Sequence, residues 1–304
     1  MININNCTGF YFDRLARLYG REKLEKLRNA HVMLFGLGGV GSWAAEALAR
    51  TAAGRITLVD FDIVGDTNMN RQMPALCDTI GEDKTAVVAE RLRKINPEAE
   101  IIVKNIRLTP ENTEALFKEA CAVKNPDVVI DAIDNLTAKC FLINYCREHG
   151  IPVIVSCGSG GRTDPSEIKV MDLGETANDA LARTVRGILR KKYNFPKKGK
   201  FGIKAVCSSE PFIRPFEGLK PDEKKNFLSE ARSASAKYTS HEENGINIAA
   251  ADNRVEIENS TEEINKRKTP VLGTACFVTG TFGFFCASEA VKEILKNKPP
   301  SGRN

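Results

Sequence analysis

The sequence predicts a Rossmann-like α/β fold, in which a doubly wound, mainly parallel sheet carries helices on both faces and leads into an extended C-terminal part. Short apolar runs alternate with helical stretches, a glycine-rich turn joins the first run to a helix, and an aspartate ends two of the runs. The composition agrees, because 42% hydrophobic and 27% charged residues in 304 are typical of a globular protein. Disordered and collagen-like chains are excluded.

The elements follow from periodicity. Cations and leucines at helical spacing predict a leading helical segment at residues 1–30. Strands are predicted at 31–35, 56–59, 101–103, 128–130, 153–155, 168–171 and 203–207. Helices are predicted at 42–50, 84–94, 111–122, 136–148 and 178–192.

Nine scattered cysteines without a C-x-x-C pair argue against a disulfide framework and a zinc ribbon, and indicate a reducing, cytoplasmic location. The N-terminus shows no secretory signal pattern. Residues 269–288 lack charge and are long enough to cross a membrane, but their glycines and threonines favour a buried helix. We therefore expect no stable membrane insertion.

Gly36, Gly38 and Gly41 form G-x-G-x-x-G between a predicted strand and helix, where backbone amides and the helix N-terminus can face a phosphate. Gly39 lies in the same turn. Asp60 ends the next strand and is placed to bind a ribose. These residues predict a nucleotide site, with NAD as the first candidate.

Three further charged residues favour ATP over NAD. Arg71, Lys84 and Asp134 all follow predicted strands or open a helix, at the edge where such sheets bind ligands. A triphosphate needs cations and a carboxylate-held Mg²⁺, and Asp134 is the candidate metal ligand. Each residue alone is more typical of a solvated surface charge, and only the three together with the glycine turn favour ATP.

The motifs resemble those of the adenylating enzymes related to ubiquitin activation. The matching residues are G-x-G-G-V-G-S from Gly36, Asp60 with Asp62, N-x-x-R-Q from Asn68 to Gln72, Lys84, and D-N at Asp134. Within that superfamily, R-L-Y-G at 17–20, the run 40–50 and I-N-P at 95–97 are most similar to the tRNA threonylcarbamoyladenosine dehydratases.

This resemblance implies an ATP- and Mg²⁺-dependent cyclising dehydration of threonylcarbamoyladenosine in tRNA, through an acyl adenylate, with release of AMP and pyrophosphate. It implies catalytic roles for Arg71, Lys84, Asp134 and Arg17, the last reaching the partner's ATP in a homodimer. A monovalent cation is a further candidate ligand, and a sulfur-transfer protein is a candidate partner. The implied nucleotide contacts are Gly36, Gly38, Gly39, Gly41, Asp60, Asp62, Asn68, Arg71, Gln72 and Lys84.

Three parts of the chain are expected: an N-terminal helical segment (1–30), an ATP-binding core (31–175) and a C-terminal part (176–304). The C-terminal part would hold a basic segment (186–204), a polar variable insert (215–268) and a closing helix (271–296). The basic segment lacks acidic residues and interleaves Tyr193, Phe195 and Phe201, whose rings we expect to be exposed and able to stack on unpaired bases. This pattern favours tRNA contact over a solvated basic loop. Its candidate contacts are Arg186, Arg190, Lys191, Lys192, Lys197, Lys198 and Lys200.

Two alternatives stay open. An adenylyltransferase for a ubiquitin-like sulfur-carrier protein would share the ATP site, although many such enzymes carry paired zinc-binding cysteines that this chain lacks. An NAD-dependent oxidoreductase would share only the glycine turn. Cys157 and Cys207 are candidate reactive thiols, yet their apolar surroundings favour a structural role.

Overall fold

A seven-stranded sheet organises the chain in a computed structural model that describes residues 11–121, 124–214, 220, 223 and 272–296. The strands are β1 (His31–Phe35), β2 (Arg55–Asp60), β3 (Glu100–Asn105), β4 (Val128–Asp131), β5 (Val153–Ser156), β6 (Ile168–Asp172) and β7 (Lys204–Ser208). The helices are α1 (Asp13–Tyr19), α2 (Arg21–Arg28), α3 (Gly41–Arg50), α4 (Lys84–Ile95), α5 (Pro110–Cys121), α6 (Leu136–Glu148), α7 (Ala180–Lys192) and α8 (Cys276–Leu295).

The strand order is β3-β2-β1-β4-β5-β7-β6, and each neighbouring pair is parallel except β6 with β7. The chain first runs outward from β1 to β3 and then returns to place β4 on the other side of β1. Val32 of β1 accordingly lies between Ile56 of β2 and Val128 of β4. Such a switch point opens a ligand crevice at the carboxyl edge of the sheet. The predicted fold class is confirmed.

Helices cover both faces of the sheet, so the central strands β1, β4 and β5 are buried along their whole length and mostly apolar. In β1, alternate side chains enter different cores: Val32 and Leu34 face one, and Met33 and Phe35 the other. The first core includes α3, α4 and α8, and the second includes α5, α6 and α7. This double burial explains why continuous apolar runs predicted the strands so well.

Helix α8 packs tightly against α3 through its glycines. A Cβ atom on Gly283 would stand 2.5 Å from the Val40 carbonyl oxygen, so a larger residue would force the helices apart. At the other end of α8, Glu293 pairs with Lys204 of β7 at 2.9 Å. Across the described residues, the structure contains no helix with the length and apolarity to span a membrane.

The N-terminal segment forms the two short helices α1 and α2, which pack through Phe12 and Leu24 against Ala52. Contacts divide the chain into one unit of Met1–Phe212 with Thr274–Asn304 and a second of Ile213–Gly273. In the second unit, the Lys220 amide donates to the Glu223 carboxylate at 2.8 Å. The predicted insert at 215–268 otherwise lies outside the described residues, and the three-part domain division stays a prediction.

Candidate active site

The glycine turn brings the backbone of β1 directly against the start of α3. Gly36 has φ +87°, and its amide donates to the Val59 carbonyl at 2.9 Å. A Cβ on Gly41 would stand only 1.8 Å from the Gly36 carbonyl oxygen, so the close approach requires glycine there. The turn therefore presents backbone amides and the α3 N-terminus to the crevice, as an anion site requires.

Asp60 fixes this turn from the end of β2. Its buried carboxylate accepts hydrogen bonds from the Leu37 amide and, at 2.8 Å, from the Asp62 amide. Because a carboxylate has about four acceptor positions, two amide donors leave room for ribose hydroxyls. Asp60 thus lies at the end of β2, as the sequence predicted, and its carboxylate also holds the glycine turn in place.

Lys84 and Asp62 form an ion pair at the mouth of the crevice. The Lys84 ammonium lies 2.9 Å from Asp62, and its side chain is only 6% exposed whereas that of Asp62 is 49% exposed. The Lys84 amide also donates to the Asp62 carbonyl at 3.1 Å, which fixes the start of α4. The ammonium is therefore held beside the predicted phosphate position by a carboxylate that water can reach.

Arg71 lies on the turn after β2 and is held in place by its neighbours. Its guanidinium donates to the Thr67 carbonyl at 2.8 Å and to the Asn70 amide oxygen at 2.9 Å. Burial lowers the pKa of Arg71 from its usual value, yet an arginine so placed stays charged at neutral pH. Asn68 uses its side-chain oxygen to accept from the Gly65 amide at 3.2 Å.

Gln72 faces the glycine turn. Its side-chain nitrogen lies 3.8 Å from the point where a Cβ on Gly38 would stand. Its side-chain oxygen is buried and has no hydrogen-bond partner within the described chain. The structure therefore brings Asp60, Asp62, Arg71, Gln72 and Lys84 around one crevice edge.

Asp134 lies in the turn from β4 to α6, and its side chain is exposed. Neighbouring groups fix the turn: the Asn135 side chain caps α6 by accepting from the Thr137 and Ala138 amides at 3.1 and 3.0 Å. Among the residues described, Asp134 itself has no hydrogen bond or ion pair, so its carboxylate is free to bind a cation.

A fully buried ion pair that sequence analysis missed supports this turn. Lys139 of α6 lies 2.9 Å from Asp131 at the end of β4, and neither side chain is exposed. Asp131 also accepts from the Ile133 amide at 3.1 Å, and burial raises the pKa of Asp131 from its usual value. A lysine within an apolar helical stretch was the available signal.

The Arg71 turn is held by Trp43 of α3 and by Thr274, just before α8, contacts that sequence analysis also missed. The Trp43 indole of α3 donates to the Arg71 carbonyl at 3.0 Å, and the Asn70 side chain donates to the Thr274 carbonyl at 3.0 Å. A Cβ on Gly39 would stand 3.3 Å from Thr279 of α8. The glycines of α8 were the only signal for this packing.

Arg17 projects from α1 away from this constellation. Its side chain is 77% exposed and pairs with Asp13 one turn earlier at 2.7 Å. Over the ranges that the structure describes, it contacts none of Arg71, Lys84 and Asp134. Its predicted role in a partner's site stays a prediction.

The basic segment spans α7 and the loop that follows. Lys191, Lys192, Lys197, Lys198 and Lys200 are exposed, while Arg186 donates to the Thr176 hydroxyl and Arg190 to the Pro196 carbonyl. The two arginines therefore also hold the fold. The expectation of exposed rings is wrong for Phe195, which is 3% exposed and packs against Phe201 with a ring distance of 4.9 Å.

The candidate reactive thiols lie inside the protein. Burial raises the pKa of Cys207 to about 11 and that of Cys157 well above its usual value. Because the thiolate is the nucleophile, such thiols are poorly reactive at neutral pH. A structural role is favoured for both.

Together, the Rossmann-like sheet, the glycine turn and the Arg71–Lys84 edge define a nucleotide-binding protein of the adenylating type. The chain belongs to the ThiF family, whose model matches residues 12–304. A tRNA threonylcarbamoyladenosine dehydratase of Haemophilus influenzae is 39% identical over 289 residues, which cover 94% of each chain.

Solved structures agree with this assignment. The Escherichia coli tRNA N6-threonylcarbamoyladenosine dehydratase in complex with ATP is 36% identical, with a TM-score of 0.71 over 94% of this chain and 93% of the other. The same enzyme in complex with AMP gives 35% identity and a TM-score of 0.72 over 97% and 98%.

Proposed function

We propose that this chain is an ATP-dependent tRNA threonylcarbamoyladenosine dehydratase. The observation that carries the proposal is similarity along nearly the whole chain to dehydratases, including an enzyme bound to ATP. The crevice residues support it, because they supply the ribose and phosphate contacts that this cosubstrate needs. The sulfur-carrier adenylyltransferase and the oxidoreductase are not favoured.

The chemical task is to make a carboxylate reactive. A carboxylate is a poor electrophile because its leaving group would be oxide. Attack of a carboxylate oxygen on the α-phosphate of ATP breaks the bond between the α- and β-phosphates, releases pyrophosphate and gives an acyl adenylate whose leaving group is AMP. Arg71 and Lys84 lie at the crevice edge and would neutralise charge that develops on the phosphates. Lys84 would exchange Asp62 for a phosphate, since Asp62 is exposed and can turn to solvent.

Asp134 fits a divalent cation, because its exposed carboxylate follows β4 beside the glycine turn and is free of protein partners within the described residues. Mg²⁺ there would neutralise phosphate charge and orient the oxygens of ATP. The Asp131–Lys139 pair beneath the turn would keep the Asp134 backbone in place.

Ring closure needs no enzyme nucleophile. The attacking group belongs to the same modified nucleoside, so binding it in the right conformation supplies a high effective concentration. The buried Cys157 and Cys207 thiols, whose pKa values burial raises, support a route without a thioester.

A homodimer in the cytoplasm completes the proposal. Leu18 of α1 is 73% exposed, and Phe277 and Phe284 of α8 are 60% and 49% exposed, which supports contact with a second copy. Such a contact would bring Arg17 of one chain towards the ATP of the other. The tRNA would lie along the basic segment, and the monovalent cation and sulfur-transfer partner stay predictions.

Release of AMP from ATP tests the function with purified tRNA that carries threonylcarbamoyladenosine, with the same tRNA unmodified, and without tRNA. We expect AMP and the cyclised nucleoside only with modified tRNA. AMP formation that needs a carrier protein but no tRNA would identify the sulfur-carrier alternative, and lack of any ATP turnover would contradict both.

A further inference from the structure

Arg162 lies on the glycine-rich loop after β5, at the same edge of the sheet as the ATP crevice. Strand β5 is the neighbour of β4, with Val155 paired to Asp131. Adjacent strands are about 4.8 Å apart, so this loop starts one strand beyond the turn that carries Asp134. It lies on the side of β4 opposite to the glycine turn and Asp60.

The guanidinium of Arg162 is buried but only partly satisfied. The residue is 4% exposed, and its Nη2 donates to the Asn178 carbonyl at 2.6 Å. Its Nε and Nη1 atoms are buried and have no hydrogen-bond partner within the described chain. An arginine stays charged when buried, and a buried charge without a counter-ion is unfavourable.

The carboxylates around this loop are engaged elsewhere. Asp179 accepts from the Gly158 amide at 2.8 Å and from the Ala182 amide at 2.7 Å. Glu210 accepts from the Thr163 and Asp164 amides, each at 3.1 Å. Both acids therefore shape the loop, and within the described residues neither forms a salt bridge with the guanidinium, although the Glu210 carboxylate is near enough to interact with its charge. The buried Nε and Nη1 atoms are thus left for an oxyanion from outside the chain.

The position of Arg162 indicates which oxyanion. From β2 to β5, the carboxyl edge of the sheet presents the predicted ribose contact, the glycine turn, Asp134 and then the Arg162 loop, and α7 begins at this edge, where its cap Asp179 accepts from the Gly158 amide at 2.8 Å. The Arg162 guanidinium donates to the Asn178 carbonyl at 2.6 Å, and the Arg186 guanidinium donates to the hydroxyl of Thr176, so both guanidiniums lie beside the residues that precede α7. Arg162 thus lies on the same edge of the sheet as the ATP crevice and near Arg186, the first arginine of the basic segment.

We propose that Arg162 binds the carboxylate of the modified nucleoside and positions it for transfer to ATP. This inference rests on the proposed function. The two unpartnered nitrogens supply charge-assisted hydrogen bonds that a carboxylate accepts. Since they are covered in the free chain, the loop must shift when the ligand binds; Gly158, Gly160 and Gly161 allow such a shift, and Gly161 already has φ +68°.

The test compares Arg162→Gln and Arg162→Lys with the wild type in binding to modified and unmodified tRNA and in AMP release. Arg162→Gln should lower the affinity for modified tRNA and raise its KM on the order of tenfold, as loss of a charge-assisted contact implies. Affinity for unmodified tRNA and for ATP should change less than about twofold, within the range of a lost surface contact. Arg162→Lys should retain part of the preference for modified over unmodified tRNA, because lysine keeps the positive charge.

Arg55→Gln is the matched control, since it removes a largely buried arginine that pairs with Glu100 on β3, next to β2. Equal loss of affinity for both tRNAs in Arg162→Gln would identify a phosphodiester as the partner and overturn the proposal. A folded Arg162→Gln variant with unchanged affinity and KM for modified tRNA would also overturn the proposal. If Arg162→Gln does not fold, the proposal is overturned by an Arg162→Lys variant whose affinity and KM for modified tRNA equal those of the wild type. Wild-type enzyme without AMP release on modified tRNA would instead contradict the proposed function itself.

Discussion

Two buried lysines near the crevice, Lys139 and Lys84, differ in the exposure of their carboxylate partners. Lys139 and Asp131 are both fully buried, so breaking that pair would leave a charge inside the protein, and we assign it a structural role. Lys84 is nearly as well covered, at 6% exposure, but its partner Asp62 is half exposed and can exchange the ion pair for contact with water. Only Lys84 can therefore pass its charge to a ligand without leaving a buried carboxylate behind.

Asp134→Ala should fold normally and lose AMP formation. The side chain is exposed and has no hydrogen bond or ion pair within the described residues, so its removal should change stability by less than about 0.5 kcal/mol. Loss of a metal-holding carboxylate should raise the activation barrier by several kcal/mol, on the order of a hundredfold or more in rate. Rates of AMP release and thermal unfolding check the two parts.

Glu98→Ala is the control for Asp134, because it removes an exposed carboxylate next to β3 that makes only a 3.9 Å contact with Arg28. AMP formation by Asp134→Ala at the rate of Glu98→Ala would contradict the assignment of Asp134 as the cation ligand.

At the scale of elements, the close approach between the glycine turn and α3 decides both stability and site shape. Gly41→Ala would place a methyl group 1.8 Å from the Gly36 carbonyl oxygen. Relief of that overlap must move backbone, which should lower the free energy of unfolding by about 1–3 kcal/mol and weaken ATP binding. Urea unfolding and ATP titration measure the two effects.

Gly187→Ala on α7 is the matched control, since no atom lies within 4 Å of the added Cβ. Alanine is the better helix former, so this variant should gain up to about 1 kcal/mol in unfolding free energy. If Gly41→Ala behaved like Gly187→Ala, the close packing of the turn would not be required.

The sequence predicted strands and helices to within a few residues because both sheet faces are covered, and apolar runs then mark strands directly. It also predicted Asp60, Arg71 and Lys84 at one edge, since parallel strands end together. It missed the contact of Asn70 with Thr274, because no local pattern reports a hydrogen bond between residues 204 positions apart. The error on Phe195 has a similar cause, as its burial depends on Phe201 and on the Arg147 guanidinium 4.0 Å above its ring.

The exposed lysines of the loop after α7 are the part of the basic segment most open to tRNA. Replacing Lys197, Lys198 and Lys200 with Glu should weaken tRNA binding and lower the log–log salt slope by about 0.7 to 0.9 for each lost phosphate contact. ATP affinity should be nearly unchanged. Binding titrations at several salt concentrations give both quantities.

The control for this loop is Glu at Lys23, Lys94 and Lys118, which makes the same change in net charge on other helices; all three are exposed, and the change removes two surface ion pairs, Lys94–Glu90 and Lys118–Glu114. Equal loss of tRNA affinity in both triple variants would mean that overall charge, rather than this loop, governs binding.

At the scale of the whole molecule, a single chain leaves the proposed site incomplete, because Arg17 is 77% exposed and pairs only with Asp13 in the described region. If Arg17 serves the neighbouring chain, Arg17→Ala and Asp134→Ala should each be inactive alone and recover together. One site of each mixed dimer then holds both intact residues, so equal mixing should restore about a quarter of wild-type AMP release. The control mixes Asp134→Ala with a chain that carries both substitutions, where no site is intact. Absence of recovery, with subunit exchange demonstrated by differently labelled chains, would show that Arg17 does not act across the dimer.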